Sequence, residues 1–229
     1  MVTTLYLVRH GATQGSDRKR YVGHIDVPLS EEGREQVRKA AAFISAHLTD
    51  SVSERNAGYL QDIHGSKAGD FISSEDPRRL SAIYCSDLTR AVKSADILAQ
   101  PYGLVPVRVP ALKERSFGVW EGMTFLEIKQ NYPVEFEAWA NNPLEYSPIG
   151  GESTAGVKER VIPAVERIIK KHAGLHVAIV AHGGINRIVL CHILGVPLEN
   201  IFRIEQDYAA VNIVEFWDKY PVLKLLNGG

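Results

Sequence analysis

Several things are scarce in this chain of 229 residues. Cysteine occurs only at Cys85 and Cys191, in neither a CxxC pair nor a zinc spacing. Two reduced thiols and a cytoplasmic location are therefore expected, and Cys85 reads as a packing residue. Net charge is nearly absent: 26 Lys and Arg stand against 27 Asp and Glu, leaving −1. Bulk charge thus gives no case for nucleic acid or an anionic membrane as partner. No apolar run approaches the ~20 residues of a membrane span, and the opening residues carry no basic and apolar leader, so no signal peptide is expected. HExxH, an Asp-rich loop and a Walker glycine loop are also missing, so no metal and no cofactor is expected.

What is present fits a globular protein, with 45% hydrophobic and 23% charged residues. The length suits one large α/β domain or two small ones. No linker rich in Pro, Gly or Ser divides it, so one domain over 1–229 is expected. The pattern fails only between about 49 and 80, which reads as an insertion, with room for a short helix around Ala57 to His64.

The chain opens on Thr4-Leu5-Tyr6-Leu7-Val8-Arg9-His10-Gly11, an apolar run that stops in Arg, His and Gly. Its brevity and its aromatic and β-branched residues predict a buried strand. Gly15 to Gly23 reads as a loop, whose Arg18, Lys19 and Arg20 are either an anion-steering set or simply solvated. Ser30 caps a helix with a stripe of Val37, Ala40, Ala41, Ile44 and Leu48. A second strand is predicted over Ser81 to Ser86, and the helix after it packs through Leu88, Ala91, Ala95 and Leu98. A third strand is predicted over Val105 to Val109. Helical pieces follow between Gly122 and Asn142, broken by Pro133 and Pro143. Ser153 caps a long helix with a stripe of Val157, Val161, Val165, Ile168 and Ile169. His176 to Ala181 is a fourth strand, followed by His182-Gly183-Gly184 and another helix. Ala210 to Trp217 and Val222 to Leu226 read as late, antiparallel strands. This alternation predicts an α/β fold: a three-layer α/β/α sandwich with a mainly parallel central sheet flanked by helices.

If the strands are parallel, Arg9-His10, Ser86 with Arg90, and His182-Gly183 meet at one sheet edge, the usual ligand edge of such folds. Two guanidiniums, two imidazoles and a helix N-terminus there match a phosphate dianion. Without a metal, phosphoryl transfer needs a nucleophile, cations and a proton donor. Neutral imidazole can attack phosphorus. Glu114 follows the third strand and could supply the proton, or it could be an exposed glutamate before a turn.

The stretch Leu7-Val8-Arg9-His10-Gly11-Ala12-Thr13 resembles the opening signature of the histidine phosphatase superfamily, the phosphoglycerate-mutase-like proteins. Ser86 to Ala91, Leu112 to Gly122, Gly150-Gly151-Glu152-Ser153 and Val180 to Gly184 resemble its later motifs, in the family's order. The resemblance implies that His10 is the nucleophile that becomes phosphohistidine. It implies that Arg9, Arg90 and His182 bind the phosphoryl group, that Glu114 handles the proton, and that Gly183 adds a backbone donor. Thr13, Ser16, Val22 and Gly23 are expected beside the substrate. Many members carry Glu where Ala12 stands and Asn where Ser16 stands.

Phe125 stands where mutases of the family carry a lysine, no arginine pair occurs between Gly122 and Gly150, and Gly184 replaces their Asn. The segment Phe117 to Gly122 is closer to the family's phosphatases, including α-ribazole-phosphate phosphatase. The expected activity is therefore metal-independent hydrolysis of a small phosphorylated metabolite. Mutase-type phosphoryl transfer and non-catalytic binding of a phospholigand are the alternatives. A homodimer is left open. Tyr132, Phe136, Trp139 and Tyr146 either line a substrate mouth or pack, and His24 and the remaining histidines form no ligand spacing.

Overall fold

A computed structural model describes residues 2–50 and 79–229. The expected helix at Ala57 to His64 and most of the expected insertion lie outside the described residues. The strands are β1 (Thr3–Arg9), β2 (Ala82–Cys85), β3 (Val107–Arg108), β4 (His176–Ala181), β5 (Val211–Phe216) and β6 (Pro221–Gly228). The described α-helices are α1 (Glu31–Asp50), α2 (Thr89–Ala99), α3 (Phe125–Asn131), α4 (Pro133–Asn141), α5 (Thr154–Lys171) and α6 (Gly183–Leu194). None of them is long and apolar enough to cross a membrane.

The six strands form one sheet in the order β3-β2-β4-β1-β5-β6. β1, β2, β3 and β4 run parallel, and β5 and β6 are antiparallel to their neighbours. Alternation along β1 explains its unbroken apolar run. Tyr6 and Val8 face a core with Val37, Ile44 and Leu48 of α1 and Ala91, Ala95 and Leu98 of α2. Leu5 and Leu7 face the other core, with Val157, Val161 and Val165 of α5 and Ile185 and Val189 of α6. Both faces are covered, so neither needs polar side chains. This is the expected three-layer sandwich.

The third strand is shorter than expected. Only Val107 and Arg108 pair, with Tyr84 and Cys85. Pro106 and Pro110 bracket the segment and lack the N–H a ladder needs, which confines it to the sheet edge. Pro133 does not simply interrupt a helix; it occupies the first turn of α4, where a missing N–H costs nothing.

The register brings the chemistry together. Arg9 pairs with Ala181, and His10 N donates to Ala181 O at 3.0 Å. His10 and His182 therefore follow the same rung of neighbouring strands. Ser86 N donates to Val180 O at 3.1 Å, so the end of β2 arrives at the same level. Gly11 lets the chain leave this edge tightly: a Cβ there would lie 2.2 Å from Gly33 O in α1.

Candidate active site

A cavity of about 380 Å³ opens at this edge. Its lining includes Arg9, His10, Arg90, Glu114 and Gly183, together with Thr13, Val22 and Gly23. Ser16 is not part of the lining. The backbone turns at that point, with Ser16 N donating to Thr13 O at 3.1 Å before a short 3-10 turn over Ser16–Arg18. Arg18 and Lys19 are exposed and stand outside the lining, whereas Arg20 belongs to it.

His10 sits on the floor. Its Nδ1 lies 2.7 Å from Gly11 O. A carbonyl only accepts, so Nδ1 carries the hydrogen and Nε2 keeps the lone pair when the ring is neutral. Burial, then Arg90 and Arg9, hold the ring well below the usual histidine pKa of 6.5. His182 has no solvent exposure, and its ring centroid is 5.1 Å from that of His10. Burial, then His10 and the two arginines, depress its pKa as well. Among the described residues, neither of its ring nitrogens has a partner. A buried polar ring in that condition awaits a ligand or water.

The two floor arginines are held by neutral acceptors. Arg90 donates to Ile25 O and Gly23 O at 2.9 and 2.7 Å. Asp26, from the same loop, accepts from Thr89 N at 2.8 Å and so caps the helix that carries Arg90. Arg9 donates to Gln206 O, and its guanidinium lies 3.9 Å over the Tyr208 ring. Gln206 is fixed in turn by buried Asn186 and Asn212. Backbone carbonyls orient both guanidiniums without cancelling their charge.

Glu114 reaches the site from the loop after β3. Its Oε2 accepts from Gly184 N at 3.1 Å and its Oε1 from Arg115 N at 2.9 Å. Gly184 is required here, since a Cβ would lie 2.6 Å from Glu114 Oε1. The acid is braced from behind. Arg160 grips Glu152 at 2.8 and 2.9 Å and donates to the carbonyls of Ala111, Lys113 and Glu114. Burial opposes the Glu152 charge, but the Arg160 bond and Ser116 N–H outweigh it and hold its pKa below the ordinary value. His24 adds a ring nitrogen 2.7 Å from Glu114 O.

The outer wall is mostly aromatic. Trp120, Ile128 and Phe136 form a small core with Tyr21, Phe117, Tyr132, Trp139 and Tyr146 packed on it. Of Tyr132, Phe136, Trp139 and Tyr146, Trp139 also faces the cavity. Cys85 is fully buried, and burial pushes its thiol up to about 12, consistent with packing. Sequence reasoning assigned no place in the site to Arg187, Gln206 or Tyr208, and gave Arg160 and the Glu152 carboxylate no task. A weak signal existed for Arg187, which follows Gly183 by one helical turn.

The model of the histidine phosphatase superfamily (branch 1) matches residues 5–54 and 66–228. Phosphoserine phosphatase 1 of Hydrogenobacter thermophilus is 27% identical over 97% of this chain and 91% of its own. Glucosyl-3-phosphoglycerate phosphatase of Mycolicibacterium vanbaalenii is 30% identical over 87% of this chain and 77% of its own. The crystal structure of the alpha-ribazole phosphatase from Shigella flexneri superposes with a TM-score of 0.77 at 24% identity, covering 98% of this chain and 96% of that one. That last likeness is one of fold.

Proposed function

The chain belongs to the histidine phosphatase superfamily, and from that premise we propose that it hydrolyses small phosphomonoesters through a phosphohistidine on His10. One observation carries the reading. A buried imidazole, kept neutral and with Nδ1–H turned to Gly11 O, holds its Nε2 lone pair available beside two charged guanidiniums. The names of the phosphatase relatives support hydrolysis as the outcome.

In the first step Nε2 of His10 forms a bond to phosphorus as the bond to the alcohol oxygen breaks. Glu114 gives that oxygen its proton, so the alcohol leaves neutral. Arg9, Arg90 and His182 share the charge on the phosphoryl oxygens, and the N-terminus of α6 adds partial positive charge. Thr13, Val22, Gly23 and Gly183 complete the wall around the substrate. In the second step water attacks the phosphohistidine, Glu114 takes its proton, and the N–P bond breaks to release inorganic phosphate and neutral His10. The full positive charges at both steps are the guanidiniums of Arg9 and Arg90.

Turnover of p-nitrophenyl phosphate in EDTA tests the reading. The wild-type chain is expected to hydrolyse it, and His10→Ala to lose at least about a thousandfold, as loss of a catalytic nucleophile does. Acid-labile phosphate is expected on the wild type and absent from His10→Ala. Its persistence on that variant would show another nucleophile.

A further inference from the structure

Arg187 lines the cavity, yet the two steps above leave it without a task. It lies on α6, four residues after Gly183, so the two share one helix face. Long helical side chains lean toward the helix N-terminus, which here is the phosphate floor. Burial is the main cause that holds the Arg9 pKa below its ordinary value, and the Arg187 charge adds a smaller push in the same direction. A fold that keeps like charges in one cavity is suited to a ligand with negative charge at both places.

The other outer arginines are already occupied. Arg20 is bonded twice to Glu127, at 2.8 and 3.2 Å. Arg115 uses its fork on Glu152 O, Thr154 Oγ1 and Tyr146 O. Arg187 differs. Its Nε donates to Ile204 O at 2.7 Å, which fixes the plane of the guanidinium. Among the described residues its carboxylate partner is Glu205, 3.9 Å away and with a side chain 74% exposed. A solvated partner at that distance neutralises little. Tyr21, Phe117, Trp139 and Phe202 line the same cavity without charge, and Glu114 is the carboxylate in that lining.

Resting on the phosphatase reading, we infer that Arg187 is a subsite for a carboxylate on the alcohol half of the substrate, so that the preferred substrates are phosphorylated hydroxy acids or amino acids. The outer edge of the guanidinium, whose Nη2 lies 3.9 Å from Glu205, offers two N–H groups, which match the two oxygens of a carboxylate. The phosphate dianion meets Arg9 and Arg90, Glu114 deals with the leaving oxygen, and Arg187 is left for one further negative charge.

Matched substrate pairs test this. O-Phosphoserine and O-phosphoethanolamine differ by the carboxylate alone; 3-phosphoglycerate and glycerol 3-phosphate differ by carboxylate against hydroxymethyl. The ratio of kcat/KM within each pair is the readout. Wild type is expected to favour the carboxylate member of at least one pair by roughly 10- to 100-fold, the scale of a charge-assisted bond. Arg187→Gln should reduce that ratio about tenfold or more, mainly through KM, and Arg187→Lys should restore part of it. A merely structural defect lowers both members together and leaves the ratio alone. No preference in either wild-type pair, or a preference that survives Arg187→Gln, overturns the subsite. Calorimetric binding of the same pairs to His10→Ala separates the two readings. Carboxylate-dependent affinity there supports the subsite even if turnover is absent and the phosphatase reading fails. Equal affinities overturn the subsite even if turnover is present.

Discussion

The floor and the outer wall of the cavity both contain arginines, but they use them differently. On the floor, Arg9 and Arg90 bond to backbone carbonyls, neutral acceptors that orient a guanidinium and leave its charge for a ligand. On the wall, Arg20 meets a carboxylate and each nitrogen of the Arg115 guanidinium meets an oxygen acceptor, and behind the wall Arg160 meets Glu152. The number of cations around a cavity therefore says little about its function. What each cation bonds to decides whether it is available or structural. Arg187 stands between the two patterns, on the wall by position and nearer the floor by its partners.

The largest effects should come from the floor. His182→Ala should lower kcat about 10²- to 10³-fold, the usual cost of removing one preorganised charge-stabilising group. Comparable activity in that variant would mean that the neutral ring does not touch the phosphoryl group. Next comes the acid. Glu114→Gln should slow alkyl phosphates about a hundredfold and nitrophenyl phosphate much less, because only the alkoxide needs the proton. Gly184→Ala should reproduce that leaving-group pattern in weaker form by displacing the carboxylate, and a uniform loss would argue for a general defect instead.

Stability offers a third contrast. The buried rings of His10 and His182 have pKa values held below 6.5, so below pH 6.5 the unfolded chain binds protons that the folded one refuses. Their stabilising contribution is complete above about pH 6.5. It falls as the pH drops toward their folded values, by up to about 1.4 kcal/mol per pH unit for each ring. Chemical denaturation between pH 7 and 5 should show this slope, and His182→Gln should remove about half of it. Behind the wall, Glu152→Gln should cost about 1 kcal/mol, since the ion pair with Arg160 is partly solvated. The smallest effect belongs to Ser16→Ala, for which kcat/KM should stay within about twofold, inside the range of a surface change. A larger loss would place Ser16 beside the substrate after all.

Much of this was readable in the residues. The run Leu5 to Val8 is apolar at every position because both faces of β1 are covered, and the stripes of α1 and α5 repeat at helical spacing for the same reason. β3 was over-read because the eye follows Val105, Val107 and Val109, whereas Pro106 and Pro110 decide where the ladder can form. The floor was legible because each strand end announces itself in adjacent residues: Arg9-His10-Gly11, Ser86 with Arg90, and His182-Gly183.

The amino-acid sequence by itself thus determined the sandwich, the sheet edge where the candidate groups gather and the short list of groups on the floor. Local periodicity sets elements, and contiguous motifs place side chains at their ends. Only the tertiary structure decided which of those groups remain free. Arg160 reaches across to clamp Glu152 behind the acid, Gln206 and Tyr208 come from the far end of the chain to hold Arg9, and Arg187 is left facing the cavity with a distant, solvated partner. Those assignments rest on hydrogen bonds between residues remote in sequence, and no local pattern encodes which acceptor a guanidinium will find.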